Sequence, residues 1–244
     1  MRHLLLCFLL FSQSSLANFD WSDYSELLSQ YVKKGEAEGI QSNLVDYQSL
    51  GQDPRYQALI ERLAIFDHSS LTGESKIAFY LNTYNLFAIK LIIDHKPNKS
   101  IRDIGTWFSP VWQKPAGVLS GKAISLDTIE HKILRKMNEP RIHFALVCAS
   151  ISCPNLRTEA YKSKTLNEQL EQQTRVFLAN KEKGLRIHEE SIYISKIFEW
   201  FAEDFSKGKG DEGVLQFIAH YQIEAGRFSK YKTLDYNWNL NQAK

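Results

Sequence analysis

The chain has 244 residues, 43% hydrophobic and 24% charged, and its 30 Lys and Arg against 28 Asp and Glu leave a formal net charge of +2. So small an excess supplies no electrostatic drive toward nucleic acid or an anionic membrane surface. The length suits one large domain or two small ones, and with no internal repeat, low-complexity tract or Pro/Gly/Ser linker in the sequence, a single domain is expected.

The chain opens on a basic start, Met1-Arg2-His3, followed by a short apolar stretch over residues 4–11 and the small-x-small triplet Ser15-Leu16-Ala17. That order predicts a signal peptide over residues 1–17, cut after Ala17, and export to the periplasm or the medium. The apolar stretch is far below the roughly 20 residues of a spanning helix, so no membrane span is expected in residues 18–244.

Residues 20–34 carry Trp21, Tyr24, Leu27, Leu28 and Tyr31 at helical spacing, and Gly35 and Gly39 follow as stops. An extended piece at 44–47 comes next. Pro54 then opens a second helix with Tyr56, Leu59, Ile60, Leu63 and Phe66 on one face. The third helix, 76–93, is apolar nearly all round and should be buried on most sides. Asn82 and Asn85 interrupt it three positions apart, on one face. Buried amides must find partners. These two are expected to pin a neighbouring loop or to touch substrate directly.

Two extended runs are expected within 107–126, split at Lys114-Pro-Ala-Gly117 or turning at Ser120-Gly121. A helix over 127–138 has Ile129, Ile133, Leu134 and Met137 as its apolar arc, with Glu130 inside the arc and His131 at its edge. Glu130 fits a capping box with Asp127-Thr-Ile. It equally fits a carboxylate that orients an imidazole, that of His143 or His131.

The apolar run over 142–147 reads as a short buried strand, ending in Cys148, Ala149, Ser150, Ile151, Ser152, Cys153 and Pro154. Alternation along a strand puts His143 and Cys148 on opposite faces, which disfavours pairing these neighbours as base and nucleophile. A polar helix over 165–180, a hairpin turning at 189–191, short helices near 197–205 and 213–221, and a last strand within 231–240 complete the chain. Helices dominate before residue 106 and strands cluster after it. The expected fold is therefore α+β, a mostly helical N-terminal half packed on a short antiparallel sheet.

Several of these segments are recognisable together. Asn82-Thr-Tyr-Asn85, Ile129-Glu-His-Lys-Ile-Leu-Arg135, the stretch from Arg141 to Pro154, and Ser195-Lys-Ile-Phe-Glu-Trp200 closely resemble motifs of the domain-of-unknown-function 547 family. The resemblance spans roughly residues 45–205, with Thr83 and Tyr80 as mild departures from the family's usual Ala and Trp. It implies that Asn82, Asn85, Glu130, His131, His143, Cys148 and Cys153 gather near one place. No settled activity comes with it.

Three chemistries then compete. Cys148 is a candidate nucleophile of a papain-like or transglutaminase-like hydrolase or acyl transferase, with His143 or His131 as base, Glu130 and Asn85 orienting it, and Asn82, Ser150 and Ser152 contacting substrate. The order asparagine, histidine, cysteine does not match the usual papain order. Alternatively, Cys148 and Cys153 form a disulfide in a non-enzymatic binding module, as an oxidising compartment favours. So small a ring contributes only roughly 2 kcal/mol by chain entropy. In the third reading both cysteines and one or two histidines hold zinc, although their spacing is wide and no second close pair follows. No cofactor is expected under the first two readings. The expected partner is a small molecule or peptide, and the sequence leaves the oligomeric state open.

Overall fold

The computed structural model describes residues 18–243, so the leader expected over residues 1–17 lies outside the described residues. Its centre is a helix. Helix α1 (Ser22–Tyr31), α2 (Tyr47–Gln52) and α3 (Pro54–Ile65) pack round α4 (Gly73–His95), in which every residue from Ala78 to Ile89 is buried. Asp53 caps α3 by accepting from the Arg55 amide, with Pro54 in the first turn, where its missing N–H costs nothing.

The first helix ends earlier than its apolar spacing predicts. Strand β1 (Val32–Ala37) takes over directly and pairs antiparallel with β2 (Ile40–Val45). Glu38 and Gly39 turn this hairpin, both at positive φ (53° and 78°), the geometry that matches the natural twist of paired strands. Gly35, expected to stop a helix, instead sits within a strand. A second hairpin, β3 (Pro115–Leu119) with β4 (Lys122–Ser125), turns at Ser120-Gly121 and not at the Pro-Gly segment before it. Gly117 brings β3 onto α4 so tightly that an added Cβ would stand 2.3 Å from the Phe87 ring.

Helix α5 (Leu166–Ala179), the hairpin β5 (Leu185–His188) and β6 (Ser191–Ile194), then α6 (Lys196–Trp200), α7 (Ala202–Ser206) and α8 (Gly210–Ala219) form the second half. The expected last strand survives only as β7 (Lys232–Thr233), parallel to β6, and as single bridges from Leu240 to Ser150 and from Gln242 to Val45. The architecture is a single α+β domain with small, mainly antiparallel sheets. Its buried side chains form two clusters, one built on α4 and one on Phe144, Phe177, Phe198 and Phe205. Among the described residues no helix is long and apolar enough to cross a membrane.

The largest departure is at residues 142–147. Pro140–Phe144 is a 3-10 turn, and the chain then runs irregularly to Cys148. Side chains take the place of strand partners here. The Asn85 amide donates to the Ala145 carbonyl at 2.9 Å and accepts from the Val147 N–H at 2.9 Å, and Gln173 donates to the Phe144 carbonyl at 3.2 Å. A buried backbone needs its hydrogen bonds met, but not by a sheet. The two-face argument about His143 and Cys148 therefore loses its premise.

A candidate site between the two cores

Where the two clusters meet, a cavity of about 410 Å³ opens to solvent, lined by residues of α4, the 127–131 segment, the 143–154 loop, α6 and the C-terminal segment. Aromatic rings make one wall. Trp200 and Tyr236 have centroids 4.8 Å apart, Tyr236 and Trp238 4.6 Å, and Trp112 and Trp238 6.2 Å.

The opposite wall is polar. Residues Thr128–Leu134 wind as a π-helix, a form concentrated at functional sites, in place of the expected α-helix. The capping box is absent: Asp127 makes no side-chain cap, and the Ser125 hydroxyl accepts from the Thr128 N–H instead. Glu130 is thereby released toward the cavity, where the Tyr84 hydroxyl donates to it. Burial pushes the Glu130 carboxyl up to about 7, against the pull of Tyr84 and of the Arg135 charge.

His143 lies behind Glu130, with Nδ1 3.9 Å from Glu130 Oε1 and Nε2 2.7 Å from Asp204 Oδ2. The first distance is too long for a hydrogen bond and the second is a short one. Arg135 grips the same Asp204 with two bonds, at 2.6 and 2.8 Å. Burial opposes ionisation of Asp204, yet the bonds from His143 and Arg135 hold its carboxyl well below the usual carboxylate range. Burial lowers the His143 pKa more than Asp204 raises it, so the ring is neutral at pH 7, and it stacks on Phe201 at 4.0 Å. His131 accepts from Arg135 at 3.0 Å, its Nε2 lies 3.9 Å from Asp127, and burial lowers its pKa too.

Of the residues proposed from sequence, Glu130, His131, His143, Cys148 and Cys153 line this one cavity. Asn85 lies beneath it with both ends of its amide engaged on the 145–147 backbone. Asn82 is further off, donating to the Tyr161 carbonyl and accepting from the Tyr161 N–H. Ser150 is buried against the sulfurs, and Ser152 accepts from the Asn237 N–H. These four do not line the cavity. Cys148 and Cys153 are joined in a disulfide. That bond corrects two expectations, since a nucleophile and a zinc ligand both need a thiolate that neither sulfur carries here. Among the described residues, no group of three or more His, Cys, Asp or Glu side chains is arranged to hold a metal ion.

Sequence reasoning missed Tyr84, Trp200, Asp204, Trp112, Tyr236 and Trp238. Tyr84 and Trp200 stood inside quoted motifs, between the two asparagines and at the end of the Ser195 segment. Asp204 lies just past that segment and left no local signal, because its partners are 61 and 69 positions away.

Residues 68–178 match the family model described as Protein of unknown function, DUF547. The match contains Tyr84, Glu130, His143 and both cysteines, while Trp200, Asp204, Tyr236 and Trp238 lie beyond it. No curated protein and no solved structure matches the chain.

Proposed function

We propose that this chain, whose residues 68–178 belong to the DUF547 family, is an exported binding protein whose cleft takes a small neutral or cationic ligand with a ring or other flat apolar body. The ligand's body lies against Trp200, Tyr236 and Trp238, and its polar end points to Glu130 and Asp127. One observation carries this reading: the cavity lining combines those rings with two carboxyl groups and no Lys or Arg. Aromatic faces attract cations and stack on rings. An anion would meet Asp127 and Glu130, and the nearest guanidinium, that of Arg135, lies outside the lining and makes its two-point contact with Asp204. Export draws support from the leader pattern in residues 1–17 and from the disulfide, which persists in oxidising compartments. Sequencing the mature N-terminus tests it, and Asn18 is the expected first residue.

Three probes share one ring and differ in charge: benzylamine, benzyl alcohol and benzoate. Tryptophan fluorescence quenching is expected with the first two and about tenfold weaker with benzoate. Trp238→Ala should abolish it. Benzoate binding as well as benzylamine would overturn the reading.

A further inference from the structure

The disulfide occupies an unusual place. Both of its cysteines line the open cavity, yet they are unequally accessible: Cys148 is half-buried and Cys153 is 2% exposed. The donors round the two sulfurs are unequal as well. The Cys148 N–H donates to Cys153 Sγ at 3.0 Å, and the Tyr236 hydroxyl sits 3.2 Å from that sulfur. The two hydroxyls reach both sulfurs, Ser150 at 3.0 Å from Cys148 Sγ and 3.7 Å from Cys153 Sγ and Tyr236 at 3.3 Å from Cys148 Sγ, so the amide is what sets Cys153 Sγ apart. A fixed amide is aimed at the Cys153 sulfur, and Cys148 is the less buried residue of the pair.

The surrounding loop does not depend on the bond. Ile151 and Ser152 donate to the Asn239 and Asn237 carbonyls, and the Lys183 ammonium bonds the Ile151 carbonyl at 3.2 Å and Asn155 Oδ1 at 2.8 Å. Asn85 fixes the irregular approach to Cys148. A staple that closes so short a ring adds little to a loop held this well. Inside the ring Ala149 sits at φ 60°, a conformation that L-residues other than Asn and Asp rarely adopt and that concentrates at functional sites.

We propose that Cys148–Cys153 is a redox-active pair that oxidises dithiols entering the cleft, with Cys148 Sγ as the atom attacked and Cys153 as the leaving group. A substrate thiolate forms a bond to Cys148 Sγ. The Cys148–Cys153 bond breaks, and its electron pair leaves on Cys153 Sγ, where the Cys148 N–H and the Tyr236 hydroxyl receive the charge. Exchange is faster the better the departing thiolate is stabilised and the more open the attacked sulfur, and both conditions select this direction. The second substrate thiolate then attacks its own sulfur in the mixed disulfide and expels Cys148 as a thiolate. The substrate has lost two electrons and two protons and become a disulfide. The pair has gained them and become two thiols. The cavity opens to solvent, through which the two protons exchange. This activity goes beyond ligand binding and does not rest on it.

The test uses the mature oxidised protein and dithiothreitol, without denaturant, with free thiols read by alkylation and intact mass. Native reduction within about tenfold of the rate in denaturant is expected. Reduction only after unfolding would show a purely structural bond and overturn the proposal. Reduced Cys153→Ser should form a stable mixed disulfide with cystamine, a cationic disulfide, at Cys148, and Cys148→Ser should react about tenfold more slowly. The opposite order overturns the assignment of the attacked sulfur. Should either variant fail to fold, Tyr236→Phe decides. It should slow native reduction and raise the Cys153 thiol pKa, read at that residue by the pH dependence of its alkylation with peptide mass mapping, and no change in either refutes the leaving-group role. Quenching by benzylamine on the same samples reports the binding site separately.

Discussion

The 2.7 Å contact between His143 Nε2 and Asp204 Oδ2 fixes which ring nitrogen carries the proton. An ionised carboxylate can only accept, so Nε2 donates and the Nδ1 lone pair faces Glu130. The imidazole thus stands between a carboxylate held ionised and a carboxyl that titrates near neutrality. Asp204→Ala removes the group that raises the His143 pKa and leaves Arg135 without its two-point partner. The His143 pKa, followed by NMR, should fall further. Stability in denaturant should drop by about 2 kcal/mol, below the figure for a fully buried pair because Asp204 is 21% exposed. The loss has a defined pH window. The folded pKa of Asp204 is depressed, so its contribution is present above the unfolded value near 4 and disappears as the pH falls through the folded one. Wild type and variant should therefore converge in strong acid. None of this was legible in the residues around His143. Glu130 was recognised as facing inward, but Asp204, the residue that holds the imidazole, comes from a separate helix and is found only by folding.

At the scale of elements, composition identified what was regular and missed what side chains replaced. The apolar third helix, the Pro54 helix and the 189–191 hairpin follow their patterns, because burial or turn chemistry alone determines them. The 142–147 run has a strand's composition without a strand's partners, since Asn85 and Gln173 supply its hydrogen bonds. The 127–138 segment keeps its helical arc but winds wider, and this turns Glu130 away from the helix start. Asn82 and Asn85 were correctly expected to hold backbone as one of two readings, and that expectation is testable. Asn85→Ala strands the Ala145 carbonyl and the Val147 N–H in the core. A buried unsatisfied polar group costs about 1–3 kcal/mol, so the variant should lose roughly 2–5 kcal/mol in denaturant unfolding. Asn85→Asp keeps the acceptor for Val147 and should lose less. Equal losses would mean that the Val147 contact contributes nothing.

Across the whole molecule, the α+β class and the gathering of distant motifs were accessible from sequence, whereas the cleft between two cores was not, because its aromatic wall is assembled from α6 and the C-terminal segment. Two buried ionisable groups on either side of the disulfide loop now set how stability responds to pH. Burial pushes Glu130 up to about 7, so the folded state holds a proton that the unfolded chain releases near pH 4.3, and stability falls as pH rises between those values. Lys183 is the opposite case. Its ammonium is surrounded by Ser42 Oγ, Asn155 Oδ1 and the Ile151 carbonyl, all neutral, and burial pushes it down to about 7. The unfolded chain binds that proton up to pH 10 or so, hence stability rises with pH from 7 to about 10. Below about pH 6.5 the lowered pKa values of His143 and His131 act against the Glu130 slope, so the two contributions are read from variants. Thermal or urea unfolding from pH 5 to 9.5 checks this directly. Glu130→Gln should flatten the acidic limb and leave the alkaline one, and Lys183→Met should do the reverse. An unchanged acidic limb in Glu130→Gln, or an unchanged alkaline limb in Lys183→Met, would mean that the substituted group is not held in the environment described.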